Sequence, residues 1–131
     1  MPAPLAKTYV DQIFAERNLG DIYWAISVVE QDRELPEEFW LFSRIYEWAP
    51  PRSGVWQYYE GLSDEQFKRV SDDLDRFGLA EIAVQYRLGR RTWDGATQAA
   101  EVDRWLDAHA DEIHDAVFKL IAPNRQHLSA H

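Results

Sequence analysis

Leu62-Ser63-Asp64-Glu65-Gln66-Phe67-Lys68-Arg69-Val70-Ser71-Asp72-Asp73-Leu74-Asp75-Arg76-Phe77-Gly78 carries a full set of helix signals. The Ser63 hydroxyl can accept from the backbone near Gln66, and Gln66 can answer back to the cap, which makes a capping box. Leu62 and Phe67 stand at the staple positions around it. Phe67, Val70, Leu74 and Phe77 then recur at spacings of three, four and three, the repeat of one helix face. Gly78 permits the left-handed conformation that ends a helix. Start, stripe and stop agree, so a helix is predicted between Ser63 and Gly78.

The same reading extends in both directions. Downstream, Leu79, Ile82, Ala83 and Tyr86 mark a helix that ends at Gly89. Arg90 to Gly95, with Trp93, form a connection. A last long helix begins between Ala96 and Glu101 and ends near Pro123, with Val102, Leu106, Ala110, Ile113, Val117 and Leu120 on one face. Upstream, Arg52 to Gly61 read as a turn and a short helix. Pro36 suits the first turn of a helix, and Pro50-Pro51 end it. Within it Phe39, Phe42 and Tyr46 form one stripe and Leu41, Ile45 and Trp48 another, so it is expected at the centre of the core. Before it, Thr8 to Arg17 are helical with Val10, Ile13 and Phe14 on one side. Asn18-Leu19-Gly20 stop that helix, and Asp21 caps a second one carrying Ile22, Ala25, Ile26 and Val29. The prediction is an all-α, compact single-domain bundle of about six to seven helices. Residues 1–7 are expected as a flexible arm, 8–123 as the helical domain and 124–131 as a tail.

Composition bounds the function. The chain has 131 residues, enough for one domain, and a hydrophobic fraction of 46% that supports a packed core. Asp and Glu number 23 against 14 Lys and Arg, for a net charge of -9. That balance opposes direct binding to nucleic acid or to an anionic membrane, and permits binding to a basic protein surface. Its commonest meaning is solubility. The absence of cysteine excludes disulfides and thiolate chemistry. The N-terminal residues lack the pattern of a secretory signal and no apolar run is long enough to span a membrane, so cytoplasmic residence is expected.

Chemistry is hard to find. His109-Ala110-Asp111-Glu112-Ile113-His114 is not the zinc-binding His-Glu-x-x-His pattern, and no second pair completes a bundle metal centre. Ser53-Gly54 is not a nucleophile elbow, and the glycines form no phosphate loop. The reading is no enzyme, no metal and no cofactor. Arg87, Arg90 and Arg91 near Trp93 are a candidate anion site; cations at a helix end, or internal pairing with the acidic excess, account for them more simply.

The acids carry more pattern. Asp103, Asp107, Asp111 and Asp115 repeat every four residues, so each step advances about 6 Å and rotates about 40° along a helix. Arg104 is the only cation between residues 101 and 115, where Glu101 and Glu112 add negative charge. Asp72, Asp73 and Asp75 form a second group beside Asp64 and Glu65, whose place in a first turn is explained by the helix dipole. Glu30, Asp32, Glu34, Glu37 and Glu38 form a third. Carboxylates spaced on a rigid scaffold can imitate phosphates to a DNA-binding protein; a solvated acidic face is the plainer reading.

The middle of the chain resembles the DMP19-like family, also described by the domain DUF4375. The resemblance rests on Glu38-Phe39-Trp40-Leu41-Phe42-Ser43-Arg44-Ile45-Tyr46, on Arg52-Ser53-Gly54-Val55-Trp56-Gln57-Tyr58-Tyr59-Glu60, on the helices Leu62 to Phe77 and Leu79 to Tyr86, and on the acidic closing segment Asp103 to Ile121. It implies an all-helical fold and a homodimer. It also implies kinship with an acidic DNA mimic that occupies the DNA-binding surface of a transcriptional regulator. The leading expectation is therefore a non-enzymatic protein that binds a basic protein surface as a DNA mimic, through Asp103, Asp107, Asp111 and Asp115 with Asp72, Asp73 and Asp75. One alternative is an interaction protein that uses an apolar or aromatic patch. The other is a small-ligand protein or enzyme with an anion site at Arg87, Arg90 and Arg91.

Overall fold

A computed structural model describes residues 5–49, 55–94 and 96–129. Five expectations lie wholly or partly outside them: the first four residues of the arm, the Pro50-Pro51 stop, the Arg52-Ser53-Gly54 turn, Gly95 in the connection that begins at Arg90, and the last two residues of the tail. Among the described residues there are eight α-helices and no named strand: α1 (Lys7–Ala15), α2 (Leu19–Val29), α3 (Glu37–Trp48), α4 (Trp56–Glu60), α5 (Asp64–Arg76), α6 (Ala80–Thr92), α7 (Ala96–Ala108) and α8 (Ala110–Ile121). A 3₁₀ helix over Ala122–Leu128 follows. The all-α expectation holds. Packing divides the chain into two compact units, one from residues 1–46 with 114–131 and the other from 47–113.

In the first unit, α1 packs on α2 and both pack on the 3₁₀ helix. Val10, Ile13 and Phe14 are buried on α1, and Ile22, Ala25, Ile26 and Val29 on α2. Both stripes follow the predicted period. Between the helices the chain reverses at Arg17, which takes φ 51°. The Arg17 N–H donates to Phe14 O and the Asn18 N–H to Ile13 O, so the carbonyls of the last turn are satisfied. A side chain in this left-handed region costs about 1–2 kcal/mol. The Arg17 side chain pairs with Asp115 at 3.1 Å, and its guanidinium lies 4.6 Å from the Phe118 ring centre. Asn18, not Asp21, caps α2: its side-chain oxygen accepts from the Asp21 N–H, and its amide donates to the Asp21 carboxylate. One residue thus ends α1 and starts α2, which a reading of Asn18-Leu19-Gly20 as a stop alone misses.

The segment expected as a tail from Asn124 is partly structured. Residues through Leu128 belong to the 3₁₀ helix, Leu128 is buried, and the Leu5 N–H donates to Leu128 O at 3.2 Å. An apolar Leu128 supplies the reason, since burying it offsets the entropy of ordering the segment.

In the second unit, α6 packs against α4, α5 and α7. Ser63 caps α5 as its sequence predicts, its hydroxyl accepting from the Gln66 N–H at 3.1 Å. Gly78 ends that helix at φ 75°, with the Leu79 N–H reaching Leu74 O. Helix α6 does not end at Gly89. It continues to Thr92, and Gly89 is buried within it because Tyr59 of α4 lies against its backbone. The glycine marks a close approach and not a stop. The last long helix is also two helices, divided at His109. The Trp105 carbonyl accepts from the His109 N–H at 3.0 Å and lies 2.8 Å from the same residue's Nδ1. Side chain and backbone of one residue thus face the same carbonyl at the break between the two helices.

Candidate functional site

The second unit has a buried, hydrogen-bonded aromatic cluster. Trp48 Nε1 donates to the Tyr59 hydroxyl at 2.8 Å, and that hydroxyl donates to Tyr86 O at 2.7 Å. The Tyr58 and Tyr86 hydroxyls are 2.6 Å apart. Phe67 stacks on Tyr86 with ring centres 5.6 Å apart and planes 7° from parallel. Trp48, Tyr59 and Tyr86 are fully buried. Burial is the chief reason both Tyr59 and Tyr86 hold their protons far above the ordinary tyrosine range. These hydroxyls are therefore neutral structural donors at physiological pH and not acid–base groups. Their network joins Trp48, α4 and α6 within the second unit by hydrogen bonds that have nowhere else to go.

The seven carboxylates predicted to bind are not equivalent. Asp73 is 6% exposed, so it presents no charge at the surface. A signal for this exists in the sequence: Asp73 falls three residues after Val70 and four before Phe77, on the α5 stripe itself. Asp72 is exposed and pairs with Lys68 at 2.8 Å. Asp75 is paired with Arg87 at 2.6 Å. Asp103 is half-buried, and its Oδ1 accepts from the Val55 N–H at 2.9 Å at the start of α4. It fills a backbone donor that a helix start leaves open. Asp115 belongs to the first unit and is held by Lys119 at 2.9 Å and Arg17 at 3.1 Å. The Lys119 hydrogen bond, followed by that of Arg17, pulls its carboxyl below the ordinary value.

Asp107 and Asp111 remain. Both are exposed, and among the described residues neither makes an ion pair. They stand on either side of the His109 turn, Asp107 near the end of α7 and Asp111 in the first turn of α8. Glu101 on α7 and Glu112 on α8 are exposed as well, with exposed Arg104 the one cation in the same stretch. Stripped of Asp103 and Asp115, the predicted row of four becomes a shorter acidic face of Glu101, Asp107, Asp111 and Glu112. Its opposite side is anchored by buried Val102, Leu106 and Ile113. The second acidic group is largely compensated in place, and the two groups have different characters for that reason.

Two of the three cations of the anion-site alternative, Arg87 and Arg90, are engaged too. Arg87 donates from Nε to the Ser71 hydroxyl at 2.6 Å and from Nη2 to Ser71 O at 3.0 Å, in addition to Asp75. Arg90 pairs with Asp64 and lies over the Phe67 ring. Arg91 is exposed. The fork of Arg87 and the stacked Arg90 tie α6 to α5, the internal pairing that an acidic excess favours. His109 stacks on Trp105 with ring centres 4.5 Å apart. Among the described residues no group of three or more His, Asp or Glu is placed to hold a metal ion, and no helix is long and apolar enough to cross a membrane. No family model, curated protein or solved structure matches this chain.

Proposed function

We propose that this chain is a non-enzymatic binding protein that engages a basic protein surface, with the α7–α8 carboxylates standing in for the phosphates of DNA. The observation that carries the reading is the exposure of Asp107 and Asp111 without an ion pair among the described residues. Asp64, Asp72, Asp75 and Asp115 each have a cation beside them. A carboxylate already paired gives little to a partner, because the new ion pair replaces an old one. An unpaired, solvated carboxylate is available to Lys and Arg that would otherwise meet phosphate. The partner on this reading is a DNA-binding regulator, and the bound regulator is withheld from DNA. The DMP19-like resemblance points to the same class of partner, and to a homodimer as the binding form.

The test is affinity capture from native lysate at two salt concentrations, with the wild type beside Asp107→Asn/Asp111→Asn/Glu112→Gln and beside Asp115→Asn. A basic DNA-binding protein held by the wild type and by Asp115→Asn, lost by the triple variant and weakened by salt, is the expected result. The captured protein should also be displaced by duplex DNA. Retention of the same partner by the triple variant, insensitive to salt, would remove this face as the binding site.

A further inference from the structure

Trp24 is 53% exposed, an unusual position for the side chain with the largest apolar surface. It stands on the outer side of α2, whose Ile22, Ala25, Ile26 and Val29 point into the core. Tyr9 of α1 meets it with ring centres 6.4 Å apart and planes at 89°. Two stacked rings would hide a face each. Two rings at a right angle form a corner, in which one small group can lie against both. Asp21 precedes Trp24 by three residues, so both project from the same side of α2. The Asp21 charge also reaches the Tyr9 hydroxyl: desolvation, and then that carboxylate, raise the tyrosine above its ordinary value. Asp21 accepts from the Asn18 side-chain amide at 2.9 Å. That donor is neutral and leaves the carboxylate charge uncancelled. Among the described residues no Lys or Arg pairs with Asp21 or lies over either ring.

We infer that the Tyr9–Trp24 corner, with Asp21 beside it, binds an organic ammonium group and prefers a methylated one. Aromatic faces carry negative potential and attract cations, indole most strongly. Methyl groups fit the purpose because they spread the charge, make the ion cheaper to dehydrate and add dispersion contact with both rings. The carboxylate supplies the countercharge and repels anions. A neutral apolar group would gain from the rings alone and leave Asp21 unused. The group has two natural carriers, a methylated lysine side chain and a small free quaternary ammonium. The inference involves residues of the first unit only, and stands whether or not Asp107 and Asp111 bind a partner.

The indole N–H resonance of Trp24, assigned by its disappearance in Trp24→Phe, reports binding directly. It is followed while the protein is titrated with tetramethylammonium, with a capped trimethyl-lysine, and with the neutral tert-butyl isostere of the latter. Saturable shifts with both ammonium compounds and none with the isostere are expected. Tyr9→Ala should weaken binding about fivefold, and Asp21→Asn about threefold, the range of exposed cation–π and charge contacts. Tighter binding of trimethyl-lysine than of tetramethylammonium assigns the site to a lysine side chain; equal affinity assigns it to a free quaternary ammonium. Equal binding of the isostere, the absence of a saturable shift with either ammonium, or unchanged affinity in Tyr9→Ala with its helical circular dichroism intact would overturn the inference.

Discussion

Replacing Gly89 by alanine sets two physical effects against each other. In a helix interior, propensity alone predicts that Gly→Ala stabilises by about 1 kcal/mol. Gly89 is buried inside α6, however, and a methyl group there would fall within the van der Waals radius of the Tyr59 hydroxyl and its ring. Tyr59 cannot swing aside freely, because its hydroxyl accepts from Trp48 Nε1 at 2.8 Å and donates to Tyr86 O at 2.7 Å. Overpacking of a tight core costs about 1–3 kcal/mol, and stretching two buried hydrogen bonds adds about 1–3 kcal/mol. Set against the propensity gain, these terms leave a net loss for Gly89→Ala of about 1–5 kcal/mol, a large share of a domain stability of about 5–15 kcal/mol. Urea unfolding, followed by tryptophan fluorescence and circular dichroism, measures it. A double-mutant cycle supplies the control. Tyr59→Phe alone leaves the buried Trp48 donor without its partner and should cost about 1–3 kcal/mol. Combined with Gly89→Ala, the losses should fall short of their sum by at least about 0.5 kcal/mol, since both act on one ring. Stabilisation by Gly89→Ala, or strict additivity of the two changes, would show that the α4–α6 approach is not what the glycine serves.

Gly78 is the contrasting case: open space surrounds its Cβ position, but φ is 75°. Gly78→Ala should therefore lose about 1–2 kcal/mol from backbone strain alone, with no coupling to any neighbour in a double-mutant cycle. Asp103→Ala should destabilise by about 1 kcal/mol through the freed Val55 N–H, and Asp103→Asn by less because an amide oxygen can still accept; thermal unfolding of the pair separates a structural acid from a binding one. The carboxyls of Asp11 and Asp115 are both held low, Asp11 chiefly by the Lys7 hydrogen bond and then that of Arg125, Asp115 chiefly by Lys119 and then Arg17. A depressed carboxyl stabilises the fold above its unfolded value near 3.8 and loses that contribution as pH falls through the folded value. Melting temperature should thus drop below about pH 4, with a shallower drop in Asp11→Asn/Asp115→Asn; identical acid limbs would refute the assignment.

How much of this was legible depended on whether a residue's role was local. The Ser63 cap, the Gly78 stop and the two stripes of α3 are set by neighbours within one or two turns, and the sequence shows them directly. Leu41, Phe42, Ile45 and Trp48 are all buried, as a helix apolar on two sides requires. Gly89 was misread because a stop and a close approach use the same residue, and only the position of Tyr59, thirty positions away, distinguishes them. Arg17 gave no warning of its left-handed conformation, since it is glycine that ordinarily signals one. His109 carries no glycine or proline breaker signal, and a single non-helical residue divides α7 from α8. Asn18 was visible as a terminator but not as a cap, because the two roles overlap on a single residue.

The acidic excess itself illustrates the same limit at the level of function. A count of 23 acids against 14 bases describes the whole chain and says nothing of which charges are spent within it. Asp103 and Asp107 are one helical turn apart and alike in sequence context, yet the first is committed to a backbone N–H of α4 and the second is open to solvent. Asp111 and Asp115 divide in the same way, the second because Arg17 and Lys119 converge on it. A four-residue repeat therefore identifies candidates, and pairing decides among them. For a mimic of phosphate this selection matters more than net charge. Counterion release on binding scales with the unpaired charges that meet the partner's cations, so the salt dependence of binding should track Asp107 and Asp111 and be indifferent to Asp115.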